Sequence, residues 1–268
     1  MAGQGGIRGV LLDVDGVLHV DGDPIAGAAD ALRELRDDGI VVRMLTNGTM
    51  RTRSALSERL RDIGIDVPAN EILTAVTATA DYLIRSHPGE PCHLVVSGDI
   101  VEEFEGIPLT DDEDEAEVVV VGGASDTFSF AALNRAYRML RNGAKLVAMH
   151  KSVHWLTSEG VTLDSGPFIH GLEWAVGTDA VIVGKPSRQF FEAGFDALGL
   201  EATEVAMVGD DPVQDVGAAM KLGATGVLVQ TGMGAIESIE GVQPDLVLPS
   251  IAELPAALRA SHQSRDRS

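Results

Sequence analysis

Four short groups of polar residues carry side chains suited to one kind of reaction. Asp13 and Asp15 stand one residue apart, and Thr46 and Asn47 precede Gly48 and Thr49. Lys185 precedes Pro186, Asp210 and Asp211 follow Gly209, and Asp215 lies one helical turn further on. Two carboxylates at alternate positions of an extended chain point the same way. That close, each raises the other's pKa unless a cation lies between them. Mg²⁺ is the natural cation, being hard and preferring carboxylates, phosphates and water. A lysine supplies a positive point charge for phosphate oxygens. The hydroxyl and backbone N–H groups of residues 46–48 can hold phosphate as a nest does. These groups around one point suit phosphoryl transfer, which is catalysed by positioning and by neutralising charge on the transferred oxygens. One carboxylate can attack phosphorus; a second can protonate the leaving oxygen and later activate water.

The groups meet only if the chain brings their segments to one end of a sheet. Ile7–Leu12 reads as a buried strand ending at Asp13. A helix is expected from Pro24, with Ile25, Ala29, Leu32 and Leu35 on one face and Gly39 as its stop. Ile40–Leu45 is a second strand, ending at Thr46, followed by a helix with Leu56, Leu60 and Ile63. Alternation of strand and helix implies parallel strands with helical crossovers, and such sheets hold their sites at the carboxyl ends of the strands. The last third repeats the pattern. Val181–Val183 leads to Lys185, Phe190 and Phe191 lie on the next helix, and Val205–Val208 leads to Asp210. A helix over Val213–Leu222 and a strand over Thr225–Val229 follow.

The middle reads as a separate α/β unit. Cys92–Val96, Glu117–Val121 and Lys145–Met149 are strand-like, with a helix near Phe128–Arg141. The expected architecture is therefore a Rossmann-like parallel-sheet core, residues 1–78 and 184–268, with an α/β cap inserted over 79–183. The acidic run Asp111–Glu115 reads as a solvated loop, and Ser261–Ser268 as a frayed tail.

Composition narrows the partners. The chain has 268 residues, 41 acidic against 20 basic, for a net charge of −21. That charge argues against nucleic acid, which needs basic residues to neutralise phosphates, and against anionic membrane surfaces. The apolar run Val118–Val121 is far too short to span a bilayer. With a single cysteine, Cys92, no internal disulfide forms, as suits a reducing cytoplasm. The N-terminal residues carry no secretory signal pattern. Acid excess with only four lysines resembles the proteins of salt-adapted organisms, whose anionic surfaces rely on salt screening.

Asp13-Val14-Asp15-Gly16-Val17, Thr46-Asn47, Lys185-Pro186 and Gly209-Asp210-Asp211 with Asp215 resemble the four motifs of the haloacid dehalogenase superfamily. The long insert between the second and third motifs resembles its class IIA phosphatases. The segment from His150-Lys151 through Gly166-Pro167-Phe168 to Leu172-Glu173 is most similar to one branch. That branch holds the phospholysine/phosphohistidine/inorganic pyrophosphate phosphatases and their domain-containing relatives. The resemblance spans about Ile7 to Ala257 and implies specific roles. Asp13 would attack phosphorus. Asp15 would be the general acid/base and a Mg²⁺ ligand through its backbone carbonyl. Thr46 and Asn47 would bind phosphoryl oxygens, and Lys185 would offset charge. Asp13 and Asp210 would ligate Mg²⁺, while Asp211 and Asp215 would orient its waters or Lys185. The second catalytic Asp marks phosphatases rather than dehalogenases. Gly48-Thr49 departs mildly from the usual residues after the motif Thr. A homodimer through the cap would also be in keeping with the resemblance.

Within the insert, Lys151 is expected to hold an anionic leaving group and Trp155 to stack on a ring, with His150 and His154 nearby. The helix after Gly166-Pro167-Phe168 would favour an anion at its N-terminus. His87 and His93 read as unrelated turn histidines. The expected activity is a Mg²⁺-dependent phosphatase acting on a small phosphorylated metabolite. A phosphotransferase or mutase would use the same residues. A phospho-Asp signalling receiver fits poorly, because it carries no lid between its Thr and Lys.

Overall fold

The computed structural model describes residues 6–123, 125–235 and 241–265. The chain opens with β1 (Gly9–Leu12), buried throughout because both faces of a parallel strand are covered. A small hairpin follows, β2 (His19–Val20) and β3 (Asp23–Pro24), turning at Asp21 and Gly22, both with positive φ. The helix expected from Pro24 begins four residues later as α1 (Ala28–Asp37). The Ile25 N–H still donates to the Leu18 carbonyl, so the hairpin holds this stretch extended until left-handed Gly27 turns the chain into the helix. Ala28, Ala31, Leu32 and Leu35 form the buried face of α1.

Next come β4 (Val41–Thr46), α2 (Arg53–Asp62), β5 (Ile72–Thr74) and α3 (Ala75–Ser86). Thr52 caps α2 through the Ala55 N–H, and Thr74 and Thr77 form a capping box at α3. The insert continues with β6 (Cys92–Val96), β7 (Val118–Gly122), α4 (Phe130–Arg141) and β8 (Lys145–Ala148). A hairpin then pairs β9 (His154–Thr157) with β10 (Gly160–Leu163), before α5 (Gly166–Val176) and β11 (Val181–Ile182). The chain returns through α6 (Arg188–Leu198) and β12 (Val205–Gly209). Where a plain helix is expected over Val213–Leu222, a π-helical turn over Pro212–Gly217 leads into the short α7 (Ala218–Met220). Last come β13 (Thr225–Val229), β14 (Leu246–Leu248) and α8 (Leu254–Arg265). Part of the expected frayed tail is thus helical: α8 runs through Arg265, anchored by buried Leu254 and Leu258, and residues 266–268 lie outside the described ones.

Two parallel sheets result. The larger has the order β14-β13-β12-β1-β4-β5, and the smaller β11-β8-β7-β6. Alternate residues of β1 serve opposite cores. Val10 and Leu12 pack with Leu32, Leu35 and Leu254 on one face, and Leu11 packs with Phe190, Phe191 and Phe195 on the other. The smaller sheet is sandwiched between α3 on one side and α4 with α5 on the other. The cap boundary expected at residue 79 falls inside α3. Ala75, Val76, Ala80 and Leu83 of this helix all pack on the smaller sheet. The chain runs outward from β1 to β4 and β5 on one side and is completed by β12 to β14 on the other. The loops after β1, β4 and β12 therefore converge at one crevice, the usual place for a ligand in an open parallel sheet.

Candidate active site

That crevice is a cavity of about 240 Å³ lined by core loops on one side and insert residues on the other. At its floor Asp13 continues the line of β1, its N–H donating to the Val208 carbonyl of β12 at 2.9 Å. Lys185 is buried beneath it, with Nζ 2.8 Å from Asp13 Oδ1 and 2.6 Å from Asp215 Oδ1. Burial alone would lower the Lys185 pKa, but the two carboxylates outweigh it and hold the ammonium above its ordinary range. Burial raises Asp215 to about 8 against the pull of Lys185. Asp210 is also pushed well up, first by burial and then by Asp13 and Asp215.

Asp13, Asp210 and Asp215 each offer a carboxylate oxygen, all within 4.8 Å of one another. One lysine does not balance three buried acids, so the cluster has the charge and the oxygen donors for a hard divalent cation. The simple expectation that the Asp13 and Asp15 side chains face one cation between them is not met. Asp15 lies past the strand end, in the tight turn at Gly16, and its backbone bridges His19. Its side chain is 58% exposed to the cleft and stands 3.8 Å from His19 Nδ1. Asp15 is enclosed by protein yet faces open cleft. The enclosure raises its carboxyl, opposed by His19 and reinforced by Asp13. A carboxyl with a raised pKa that faces the open cleft is placed to exchange a proton with a leaving group.

Thr46 ends β4 with its hydroxyl in the cleft wall, accepting from the Gly48 N–H at 2.9 Å. Gly48 leaves that hydroxyl room, since a β-carbon there would stand 3.2 Å from it. The Asn47 side chain does something other than the expected binding of phosphoryl oxygens. Its Oδ1 accepts from the Lys185 N–H at 2.8 Å and its Nδ2 donates to the Lys185 carbonyl at 3.0 Å. The amide is thus spent on fixing the lysine backbone across the crevice. Asp211 acts chiefly as a cap, accepting from the Val213 and Gln214 N–H groups at 2.8 and 2.7 Å. Asp215 Oδ2 accepts the Asp211 N–H at 3.2 Å, and the wide π-helical turn leaves Asp215 facing the lysine.

In the insert, His150 and Trp155 line the cleft but Lys151 does not. Lys151 is ion-paired with buried Glu173 of α5, so the expected contact with an anionic leaving group is replaced by a brace between two segments of the insert. His150 is buried, and burial lowers its pKa against the pull of Asp164. His87 and His93 have separate partners, Glu90 and the Thr110 carbonyl.

The loop after β13, which the four motifs do not include, completes the site. The Met233 N–H donates to Asp210 Oδ2 at 2.7 Å, and the Thr231 hydroxyl donates to the Gly16 carbonyl. Gly16 and Gly232 both have positive φ, and a β-carbon at either would meet Asp210 Oδ2 within 2.2 Å. Their signal was present: a polar loop with glycine follows Thr225–Val229 just as Asp13, Thr46 and Asp210 follow their strands.

Comparisons with known proteins agree with this geometry. Residues 10–110 match the family described as haloacid dehalogenase-like hydrolase, and residues 182–254 match a HAD-hydrolase-like family. The human haloacid dehalogenase-like hydrolase domain-containing protein 2 is 36% identical over 91% of this chain and 92% of its own. The phospholysine phosphohistidine inorganic pyrophosphate phosphatase of Danio rerio is 35% identical over 84% of each chain. Among solved structures, the p-nitrophenyl phosphatase of Archaeoglobus fulgidus superposes with a TM-score of 0.86 at 31% identity, covering 94% of this chain and all of that one. The chain belongs to the haloacid dehalogenase-like hydrolases and is an enzyme of their class IIA phosphatase branch.

Proposed function

We propose that this protein hydrolyses a small phosphomonoester with Mg²⁺ bound, by way of a phosphoryl group carried on Asp13. The observation that supports this most is the Asp13 carboxylate held 2.8 Å from a buried lysine, beside two more buried acids and opposite protonatable Asp15. Asp13 and Asp210 would hold the cation, with the Asp15 carbonyl as the resemblance implies, and Asp215 beside them. When bound, Mg²⁺ would neutralise charge on the phosphoryl oxygens. Asp13 attacks phosphorus while Asp15 gives its proton to the departing oxygen, so one P–O bond forms as another breaks. Asp15, now ionised, takes a proton from water, which attacks the same phosphorus and frees Asp13 and inorganic phosphate. Lys185 holds Asp13 in position and offsets its charge, and the Thr46 hydroxyl contacts a phosphoryl oxygen.

Residues 79–183, with α3, act as the lid that excludes water and reads the leaving group, with His150 and Trp155 in its cleft wall. A cavity of about 240 Å³ suits a metabolite better than a macromolecule. The buried Cys92 thiol, pushed up to about 11 by burial, suits a reducing cytoplasm. Purified protein is expected to hydrolyse p-nitrophenyl phosphate with Mg²⁺. Asp13→Asn is expected to abolish turnover while leaving the circular dichroism spectrum unchanged. Retained activity in that variant would overturn the mechanism, and release to an added alcohol rather than water would mark a phosphotransferase.

A further inference from the structure

Lys185 is committed to two carboxylates, yet the cleft also contains two arginines that are not so committed. Arg51 precedes the α2 cap, and Arg59 lies on the α2 face that also presents Leu56 to the cleft. Among the described residues neither guanidinium has a carboxylate partner within ion-pairing distance. Their neighbours on the same helix do: Arg53 pairs with Glu103 and Arg61 with Asp66. Arg51 is exposed and Arg59 partly buried, so both guanidiniums are open to the cleft and available to an anionic ligand there.

Their order along the cleft points to the leaving group. Arg51 stands within electrostatic reach of Asp15, the group that faces the departing oxygen. Arg59 acts on Asp21 further out, its guanidinium packed over Gly22. To the same cleft β9 contributes half-exposed Trp155, and Leu156 and Leu56 add apolar surface. A flat anionic group in this cleft would have both an aromatic face and cationic forks to meet.

We infer that the cleft selects phosphomonoesters whose leaving group bears a second anion, bound by Arg51 and Arg59 and with its planar part against Trp155. This rests on the phosphatase reading and narrows it to a substrate class. The second anion is a carboxylate or a second phosphate, since both match the planar, bidentate donors of a guanidinium.

The test compares phenyl phosphate, 4-carboxyphenyl phosphate and 1,4-phenylene bisphosphate on the whole protein with Mg²⁺ at low, fixed ionic strength. The two anionic esters are expected to exceed phenyl phosphate in kcat/KM by about ten- to a hundredfold, the worth of one or two charge-assisted hydrogen bonds. The gain should lie mainly in KM, and whichever ester gains more identifies the anion. The carboxylate also alters the leaving phenol, so the arginine variants decide. Arg51→Gln and Arg59→Gln should each shrink the ratio of anionic to neutral ester, and the double variant should bring it near one. If phenyl phosphate is cleaved but the ratio starts near one, or survives the double variant, the inference is overturned and the phosphatase reading stands. If no ester is cleaved, the phosphatase reading fails. Calorimetry with benzylphosphonate and 4-carboxybenzylphosphonate then decides the subsite, and equal affinities would overturn it.

Discussion

Lys185 shows why a single residue can carry both stability and chemistry. Its ammonium is 3% exposed and its two partners are 11% and 1% exposed, so water contributes little to any of the three charges. Replacing it, as in Lys185→Met, leaves two buried carboxylates facing each other. We expect kcat to fall about a thousandfold, as for loss of a preorganised electrostatic group. Stability without divalent ion should fall by about 3 kcal/mol above pH 8 and partly recover at lower pH, where the Asp215 carboxyl takes a proton. Chemical denaturation at two pH values checks this.

The acid cluster itself sets a second pH dependence. The Asp215 carboxyl is raised from 3.8 to about 8, and Asp210 is raised also. A raised acid favours the folded state while protonated, so its contribution is present below the ordinary carboxylate pKa and is lost as pH climbs through about 8. A cation needs the ionised form and restores what is lost. The rise in Tm on adding Mg²⁺ should therefore grow from about pH 5 to about pH 8. A shift that is flat or larger in acid would contradict the assignment of these acids to a cation.

Among the elements, the two small hairpins meet over the cleft. Ser158, in the β9–β10 turn, donates from its N–H and its hydroxyl to Asp21 Oδ2, at 3.0 and 2.6 Å. This contact lowers the Asp21 pKa, the Ser158 hydroxyl first. It joins insert to core beside Trp155. Ser158→Ala keeps only the backbone bond. Amide exchange over residues 154–163 should then quicken severalfold while β7 stays protected, because the contact is exposed and local. Uniform quickening would mean that the contact supports the whole insert. The π-helical turn at Pro212–Gly217 is a second local device: a regular helix reading of Val213–Leu222 misses the width that turns Asp215 toward Lys185.

For the whole molecule, charge is the dominant property. Among the described residues seven acids line the crevice, and most of the rest of the 41 lie elsewhere, where they repel a phosphate ester. Raising KCl from about 0.1 M to about 1 M shortens the screening length from roughly 10 to 3 Å. Activity is expected to rise across that range, as the lysine-poor, acid-rich composition implies. A steady loss would show that the surface charge has no such role. Among the described residues no helix is long and apolar enough to cross a membrane.

By itself the sequence determined the parallel-sheet core, the insert and the four polar loops, because strand burial and loop polarity are local and periodic. Asp13 and Asp210 were legible for that reason: each follows an apolar strand of the larger sheet, whose strand ends share one edge, whereas Lys185 follows a strand of the smaller sheet. Only the tertiary structure decided who meets whom. The Asn47 amide bonds the Lys185 backbone, Lys151 pairs with Glu173, and Met233 holds Asp210. None of these pairings has a local signal, since each joins residues far apart in the chain through side-chain reach and packing. Arg51 and Arg59 belong to the same category. Along the chain they are two arginines among sixteen, and only the fold sets them in the wall of the cleft that Trp155 also lines.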